Sequence, residues 1–179
     1  MVATVLLLSG GASTRMGCDK ASLQLGDQSL LQWQEQRFRR AGYSVVSRLV
    51  DIFKGYNGPL AGLHSACHHF PDIEAWLVVP VDMPLLSLEA IEHLSVIGEQ
   101  AKNAVCYAGC PLPIYIPNTR LLAQTLTNWL QDADGRRSVY ALMEALQGEW
   151  LSDHVFHQQL VNLNTPIQWQ QFIEGAEKV

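Results

Sequence analysis

Residues 2–8 form an unbroken, mostly apolar run (Val2, Val5, Leu6, Leu7 and Leu8 among them) that stops at Gly10-Gly11. A short run that offers apolar side chains to both faces and ends at glycine reads as a fully buried strand. Residues 75–81 repeat the pattern and end at Asp82. Strands buried on both faces need helices above and below them, and the intervening sequence supplies these. Residues 30–41 place Leu31, Phe38 and Ala41 on one helical face before Gly42, and residues 60–69 follow a turn-rich stretch. Ser87 reads as an N-cap ahead of Ile91 and Leu94. Asn118 reads as the cap of a helix carrying Leu121, Leu122, Thr125, Leu126 and Trp129. Val139, Leu142, Met143 and Leu146 mark another helix, and Thr165-Pro166 opens a last one. Residues 44–50, 103–107, 112–116 and 161–163 read as further strands. This alternation predicts an α/β fold with a mostly parallel sheet, in one domain spanning residues 1–179.

Composition narrows the function. Apolar residues make up 48% of the 179 and charged residues 16%, too apolar for a disordered chain. The net charge is −5, and Arg37, Arg39 and Arg40 form the densest basic segment, so no nucleic-acid surface is expected. No apolar run approaches the ~18 residues that span a bilayer, and no membrane association is expected. Cys18, Cys67, Cys106 and Cys110 form no CxxC pair and read as reduced thiols of a cytoplasmic protein. The His68-His69 doublet has no ligand partner at useful spacing.

The chemistry concentrates in residues 9–20, directly behind the first strand. Ligands of open α/β sheets bind beyond the carboxyl ends of the strands. Gly10 and Gly11 let the backbone approach a ligand, and successive N–H groups there can form an anion-binding concavity. Arg15 offers a planar fork to phosphate oxygens and Lys20 a point charge. The spacing is neither a Walker A loop, because Cys18-Asp19-Lys20 follows Gly17, nor a GxGxxG fingerprint. A glycine turn needed only for geometry is the competing interpretation. It leaves the arginine and lysine unexplained.

The string Leu8-Ser9-Gly10-Gly11-Ala12-Ser13-Thr14-Arg15-Met16-Gly17-Cys18-Asp19-Lys20 resembles the signature loop of the MobA-like nucleotidyltransferases, and more narrowly of the molybdenum cofactor guanylyltransferases. Further resemblance lies at Gly58-Pro59-Leu60-Ala61-Gly62, Val81-Asp82-Met83-Pro84, Pro111-Leu112-Pro113-Ile114-Tyr115, Gly135-Arg136-Arg137-Ser138 and Asn162-Leu163-Asn164-Thr165-Pro166, in family order. The resemblance implies a Rossmann-like three-layer sandwich and a reaction in which GTP and molybdopterin give the guanine dinucleotide form of the cofactor and pyrophosphate, with Mg²⁺ required. It departs from the family in one place. Between the first helix and Gly58 only residues 44–57 remain, where members usually carry an additional strand, loop and short helix. A transferase using CTP or another phosphorylated acceptor, and a nucleotide-binding module without turnover, are the alternatives this shortening raises.

The resemblance assigns roles. Leu8, Ser9, Gly10, Gly11 and Ser13 would hold the nucleotide, with Lys20 on the α-phosphate and Arg15 on the departing pyrophosphate. Asp82, at a strand end, suits Mg²⁺; a carboxylate capping the turn before Pro84 is the plainer alternative. Asn164 or Asn162 would give the metal a second oxygen or hold the acceptor, although Asn and Thr before proline also cap helices. Gly58 and Gly62 would lie beside the nucleotide, and Asp51 would accept the N1–H and N2–H of guanine; a tight turn and a surface aspartate are the alternatives. Arg137 would meet an acceptor phosphate, or be a solvated charge at a helix start. The resemblance implies GTP and molybdopterin as substrates; a monomer, and partners in cofactor biosynthesis or delivery, are expected.

Overall fold

The computed structural model describes residues 3–9, 20–55, 58–152 and 155–176. The glycine loop, with Gly10, Gly11, Ser13 and Arg15, lies outside them.

The two apolar runs form the centre of a six-stranded sheet. β1 (Thr4–Leu8) lies parallel to β5 (Ala75–Pro80), with Val5 opposite Leu77 and Leu8 opposite Pro80. All six residues of β5 are buried, as a central strand covered on both faces requires. β4 (Val45–Val46) pairs parallel with the other edge of β1. Beyond β5 lie β7 (Cys110–Pro117), antiparallel to its neighbours, then β6 (Val105–Tyr107) and β8 (Glu149–Leu151), giving the order β4-β1-β5-β7-β6-β8. A small antiparallel hairpin, β2 (Gln24–Leu25) and β3 (Gln28–Ser29), turns at Gly26 with φ of +60°.

Strand alternation divides the core into two layers. Val5, Leu7, Leu77 and Val79 face α1 (Leu30–Arg40), α3 (Leu88–Ala101) and α6 (Pro166–Ala176) through Leu30, Phe38, Ile91, Leu94 and Trp169. Leu6, Trp76, Val78 and Ile116 face α2 (Pro59–His69), α4 (Arg120–Gln131) and α5 (Val139–Ala145) through Leu60, Leu63, Leu122, Leu126 and Leu142. Each fully buried aliphatic side chain in these layers contributes about 1.5–3 kcal/mol. The expected three-layer α/β sandwich with a mostly parallel sheet is the fold observed.

The helix starts have local causes. Ser29 caps α1 in a reciprocal box with Gln32, and Ser87, Thr119 and Ser138 accept from the third residue of α3, α4 and α5. The cap of α4 is therefore Thr119 and not Asn118. The Asn118 amide instead donates to the carbonyls of Phe70 and Ile73 and ties the end of α2 to the sheet. Residues 161–163 are not a strand; they carry no regular structure, and the Leu163 N–H donates to the Asp82 carbonyl at 2.8 Å. No helix among the described residues is long and apolar enough to cross a membrane. Cys67 and Cys106 carry free thiols, both buried.

Candidate functional site

β1 and β5 end at the same level, and the ladder continues one step further through Val81 N–H to the Leu8 carbonyl, 3.0 Å. The next residue, Asp82, thus stands just beyond the carboxyl edge, where α/β sheets place ligands. Three distant segments meet there. Lys20, at the head of a 3₁₀ turn (Lys20–Ser22), directs Nζ to Asp82 Oδ2 at 2.6 Å and to Asn164 Oδ1 at 2.7 Å. Asn162 Nδ2 donates to the other carboxylate oxygen at 2.7 Å. The Lys20 and Asp82 side chains are 16% and 15% exposed, enough shielding for the pair to be held and enough access for a ligand to reach it.

The Asn-x-Asn-Thr-Pro block performs two tasks at different atoms. Gln168 Oε1 accepts from the N–H groups of Asn164 and Thr165, and Thr165 Oγ1 accepts from Gln168 N–H, closing a capping box around the start of α6. The asparagine side chains are thereby left for Asp82 and Lys20.

α1 grips the loop that bears Asp82. Gln34, fully buried, donates Nε2 to the carbonyls of Val81 and Met83, both at 3.3 Å, on either side of the carboxylate. Arg37 donates to the carbonyls of Pro84 (3.2 Å) and Leu86 and lies against the rings of Trp33 and Phe38. Burial pushes its guanidinium down to about 10, leaving it charged at neutral pH. The sequence held one sign of this: Gln34 interrupts an otherwise apolar face with Leu30, Leu31 and Phe38. Of the three arginines in that basic segment, Arg37 is thus turned onto the loop and is not a solvated charge.

A cleft of about 140 Å³ opens beside the same edge, lined by Leu8, Ser9, Leu49, Asp51, Gly58 and Gly62 among others. Gly58 adopts φ of +66° directly before α2, a conformation that favours glycine. At Gly62 a Cβ would meet Leu8 Cδ2 at 2.7 Å and Asp51 Oδ1 at 3.8 Å, so the helix passes close beneath the cleft. Burial raises the Asp51 carboxyl above its ordinary value. The Arg137 guanidinium lies on the carbonyls of Trp129 and Asp132 (2.6 Å) at the end of α4, while its own carbonyl lies 3.6 Å from the position of a Gly58 Cβ, at the rim of the cleft.

The structure thus gathers Lys20, Asp82, Asn162 and Asn164 into one cluster and Leu8, Ser9, Asp51, Gly58 and Gly62 into the adjoining cleft. A carboxylate paired with a lysine ammonium beside a cleft at the ends of parallel strands is an arrangement suited to a nucleotidyltransferase. The MobA-like NTP transferase domain model matches residues 5–149, and the chain belongs to that family. Among curated relatives, the molybdenum cofactor guanylyltransferase of Xanthomonas euvesicatoria is 33% identical over 179 residues, covering 95% of this chain and 94% of that protein. That of Photobacterium profundum is 28% identical, covering 93% of each. Among solved structures, the molybdopterin-guanine dinucleotide biosynthesis protein A of Archaeoglobus fulgidus shares the fold with a TM-score of 0.75 at 24% identity, covering 98% of this chain and all of that one. The 2-C-methyl-D-erythritol 4-phosphate cytidylyltransferase of Thermus thermophilus shares it at 0.68 and 17%, with full coverage of both.

Proposed function

We propose that this chain transfers GMP from GTP to molybdopterin and releases pyrophosphate. The observation that carries the reading is the convergence of Lys20, Asp82 and Asn164 beyond β1 and β5 in a member of the MobA-like family. The choice of guanine and of molybdopterin rests on the curated relatives, which bear the name molybdenum cofactor guanylyltransferase.

An acceptor phosphate oxygen attacks the α-phosphorus, the bond from that phosphorus to the bridging oxygen breaks, and pyrophosphate leaves with the electron pair. The protein's task in such a transfer is positioning and charge stabilisation. Lys20 would neutralise the α-phosphate; its ammonium rests on Asp82 and Asn164 at the sheet edge and would give up these oxygens where they take a metal ion. Two oxygens, Asp82 Oδ2 and Asn164 Oδ1, lie within 2.7 Å of a single cationic atom, Lys20 Nζ, and this hard oxygen pair fits Mg²⁺. Asp82 and Asn164 would hold the ion, which when bound supplies charge neutralisation to the phosphates. Asn162 would orient the carboxylate or the acceptor. Asp51, Gly58 and Gly62 would line the nucleoside side, and Arg137 would meet the acceptor phosphate. Arg15 and the backbone of Gly10, Gly11 and Ser13 keep their proposed phosphate roles on sequence grounds.

The test is pyrophosphate release with Mg²⁺, molybdopterin and each of the four triphosphates. Release with GTP alone is the expected result; release with CTP and not GTP would reject the guanylyl assignment. Lys20→Ala and Asp82→Ala should each lose about 100-fold or more in kcat while keeping the wild-type circular dichroism. Full turnover in either variant would overturn the role of the residue replaced.

A further inference from the structure

The segment that follows β4 is shorter than in the family, and a buried carboxylate from α1 governs its path. Glu35 is only 8% exposed. Its Oε1 accepts from Ser47 Oγ at 2.5 Å and Arg48 Nε at 3.2 Å, its Oε2 accepts from Arg48 Nη2 at 3.4 Å, and Arg39 Nη1 stands 3.6 Å from Oε2. At Arg48 the backbone turns left-handed, with φ of +59°. Non-glycine residues avoid this region unless their surroundings over-determine it. Here the surroundings are the fork of the guanidinium on Glu35 and the neighbouring Ser47 bond to the same carboxylate.

That turn takes the chain off the sheet edge and across the carboxyl ends of the strands. Leu49 and Asp51 line the cleft, and Val50 between them points outward, 82% exposed. The far end is also fixed. The Ile52 N–H donates to Ser65 Oγ at 3.0 Å, and that hydroxyl, fully buried in α2, donates to the Ala61 carbonyl. Residues 47–52 are therefore a strap anchored at α1 and at α2, with the Asp51 carboxylate at its inner side over Gly62.

We propose that Arg48 and Glu35 are positioning residues for nucleotide choice: their ion pair sets the left-handed turn that holds Asp51 against the base. The proposal rests on the guanylyl reading above. Guanine offers two adjacent donors, N1–H and N2–H, to one carboxylate, whereas hypoxanthine keeps only N1–H. A carboxylate held in register discriminates between them; one on a loosened strap accepts either.

The experiment is equilibrium binding of GTP and ITP with Mg²⁺, followed by pyrophosphate release, for wild type, Arg48→Ala, Arg48→Lys, Arg48→Gly and Glu35→Gln. Wild type should favour GTP over ITP by about tenfold or more. Arg48→Ala and Glu35→Gln should reduce that ratio to near unity with kcat at saturating GTP within about twofold of wild type. Arg48→Lys should retain part of the preference. Arg48→Gly, which adopts the turn freely but lacks the guanidinium, should behave like the alanine variant. A GTP-to-ITP ratio unchanged in both Arg48→Ala and Glu35→Gln overturns the proposal. If Arg48→Ala does not fold, Arg48→Lys and Glu35→Gln decide it by the same ratio. Wild type that binds neither nucleotide, or shows no preference, instead overturns the guanylyl reading on which the proposal stands.

Discussion

Gln34→Met separates positioning from stability. Methionine follows the shape of glutamine without either polar atom, so the buried volume is kept. The substitution removes two hydrogen bonds from Nε2, to the Val81 and Met83 carbonyls, and both are long at 3.3 Å. At about 0.5–1 kcal/mol each, the loss is roughly 1–2 kcal/mol. Two features offset it. Gln34 Oε1 is buried without a partner, and removing such an atom returns about 1–3 kcal/mol. The Met83 carbonyl also keeps the Leu86 N–H at 3.3 Å. The net change in folding free energy therefore lies between about 1 kcal/mol of loss and about 2 kcal/mol of gain.

The effect on turnover should be larger. Val81 and Met83 flank Asp82, and Gln34 ties both of their carbonyls to a rigid helix. A displacement of about 1 Å at a reacting centre costs up to roughly 100-fold. A tenfold fall in kcat/KM, about 1.4 kcal/mol of transition-state stabilisation, is the expected size for a loop that loses one of its anchors and keeps Arg37. Pyrophosphate release measures the first quantity and a urea midpoint the second. Wild-type kcat/KM in a variant of unchanged midpoint would refute the positioning argument. A folding free energy from the same melts lowered by more than about 3 kcal/mol would show that packing, and not the loop tether, is what the amide serves.

Two further outcomes follow from the geometry. Burial raises the Glu35 carboxyl, but the Ser47 hydroxyl, the Arg48 guanidinium and Arg39 more than offset this and leave it below its ordinary 4.5. Its contribution is thus complete above that value and is lost as the pH falls through the lower folded value. Glu35→Gln should cost about 1 kcal/mol near neutral pH, modest because Arg48 and Arg39 are more than half exposed, and the gap to wild type should close below pH 4.5; a gap constant from pH 7 to pH 3 in urea melts would refute this. Gly62→Ala should move stability and binding in opposite senses, because alanine favours the helix by up to about 1 kcal/mol while its Cβ meets Leu8 Cδ2 at 2.7 Å and crowds the cleft. A higher KM for GTP with an equal or higher melting temperature is expected; an unchanged KM would remove Gly62 from the cleft wall.

The sequence was most legible where one physical signal dominated. β1 and β5 were readable because strands buried on both faces have no other way to be apolar throughout. Ser87 and Thr165 were readable because a short polar side chain before an apolar periodic run has few other uses. β8 was missed: it has three residues, Glu149 and Trp150 are exposed, and nothing in so short a segment distinguishes a strand from a loop. Residues 161–163 carry strand-forming side chains, but what they pair with is the Asp82 backbone, a tertiary contact that composition cannot express. Lys20, Asp82 and Asn164 were named from separate motifs, and only the fold shows that they touch. Glu35, Ser47 and Arg48 left no signal, since their meaning lies in a left-handed turn at a shortened connection.

Glu35 shares its address with the two residues that grip the Asp82 loop. Gln34, Glu35 and Arg37 lie within one turn of α1, and each turns a polar group toward backbone or strap, Gln34 and Glu35 buried and Arg37 half-buried. Such placements forgo apolar packing: three polar side chains at the inner surface of a helix stabilise the fold less than leucines of similar volume would. What they provide is direction. Gln34 and Arg37 fix the 81–86 loop behind Asp82, and Glu35 fixes the strap before Asp51, so the proposed phosphate side and the proposed base side of the site are referred to the same helix. A displacement of α1 would then shift both sides together and preserve their spacing. That spacing is the quantity a transferase has to hold constant between the base it selects and the phosphorus it attacks.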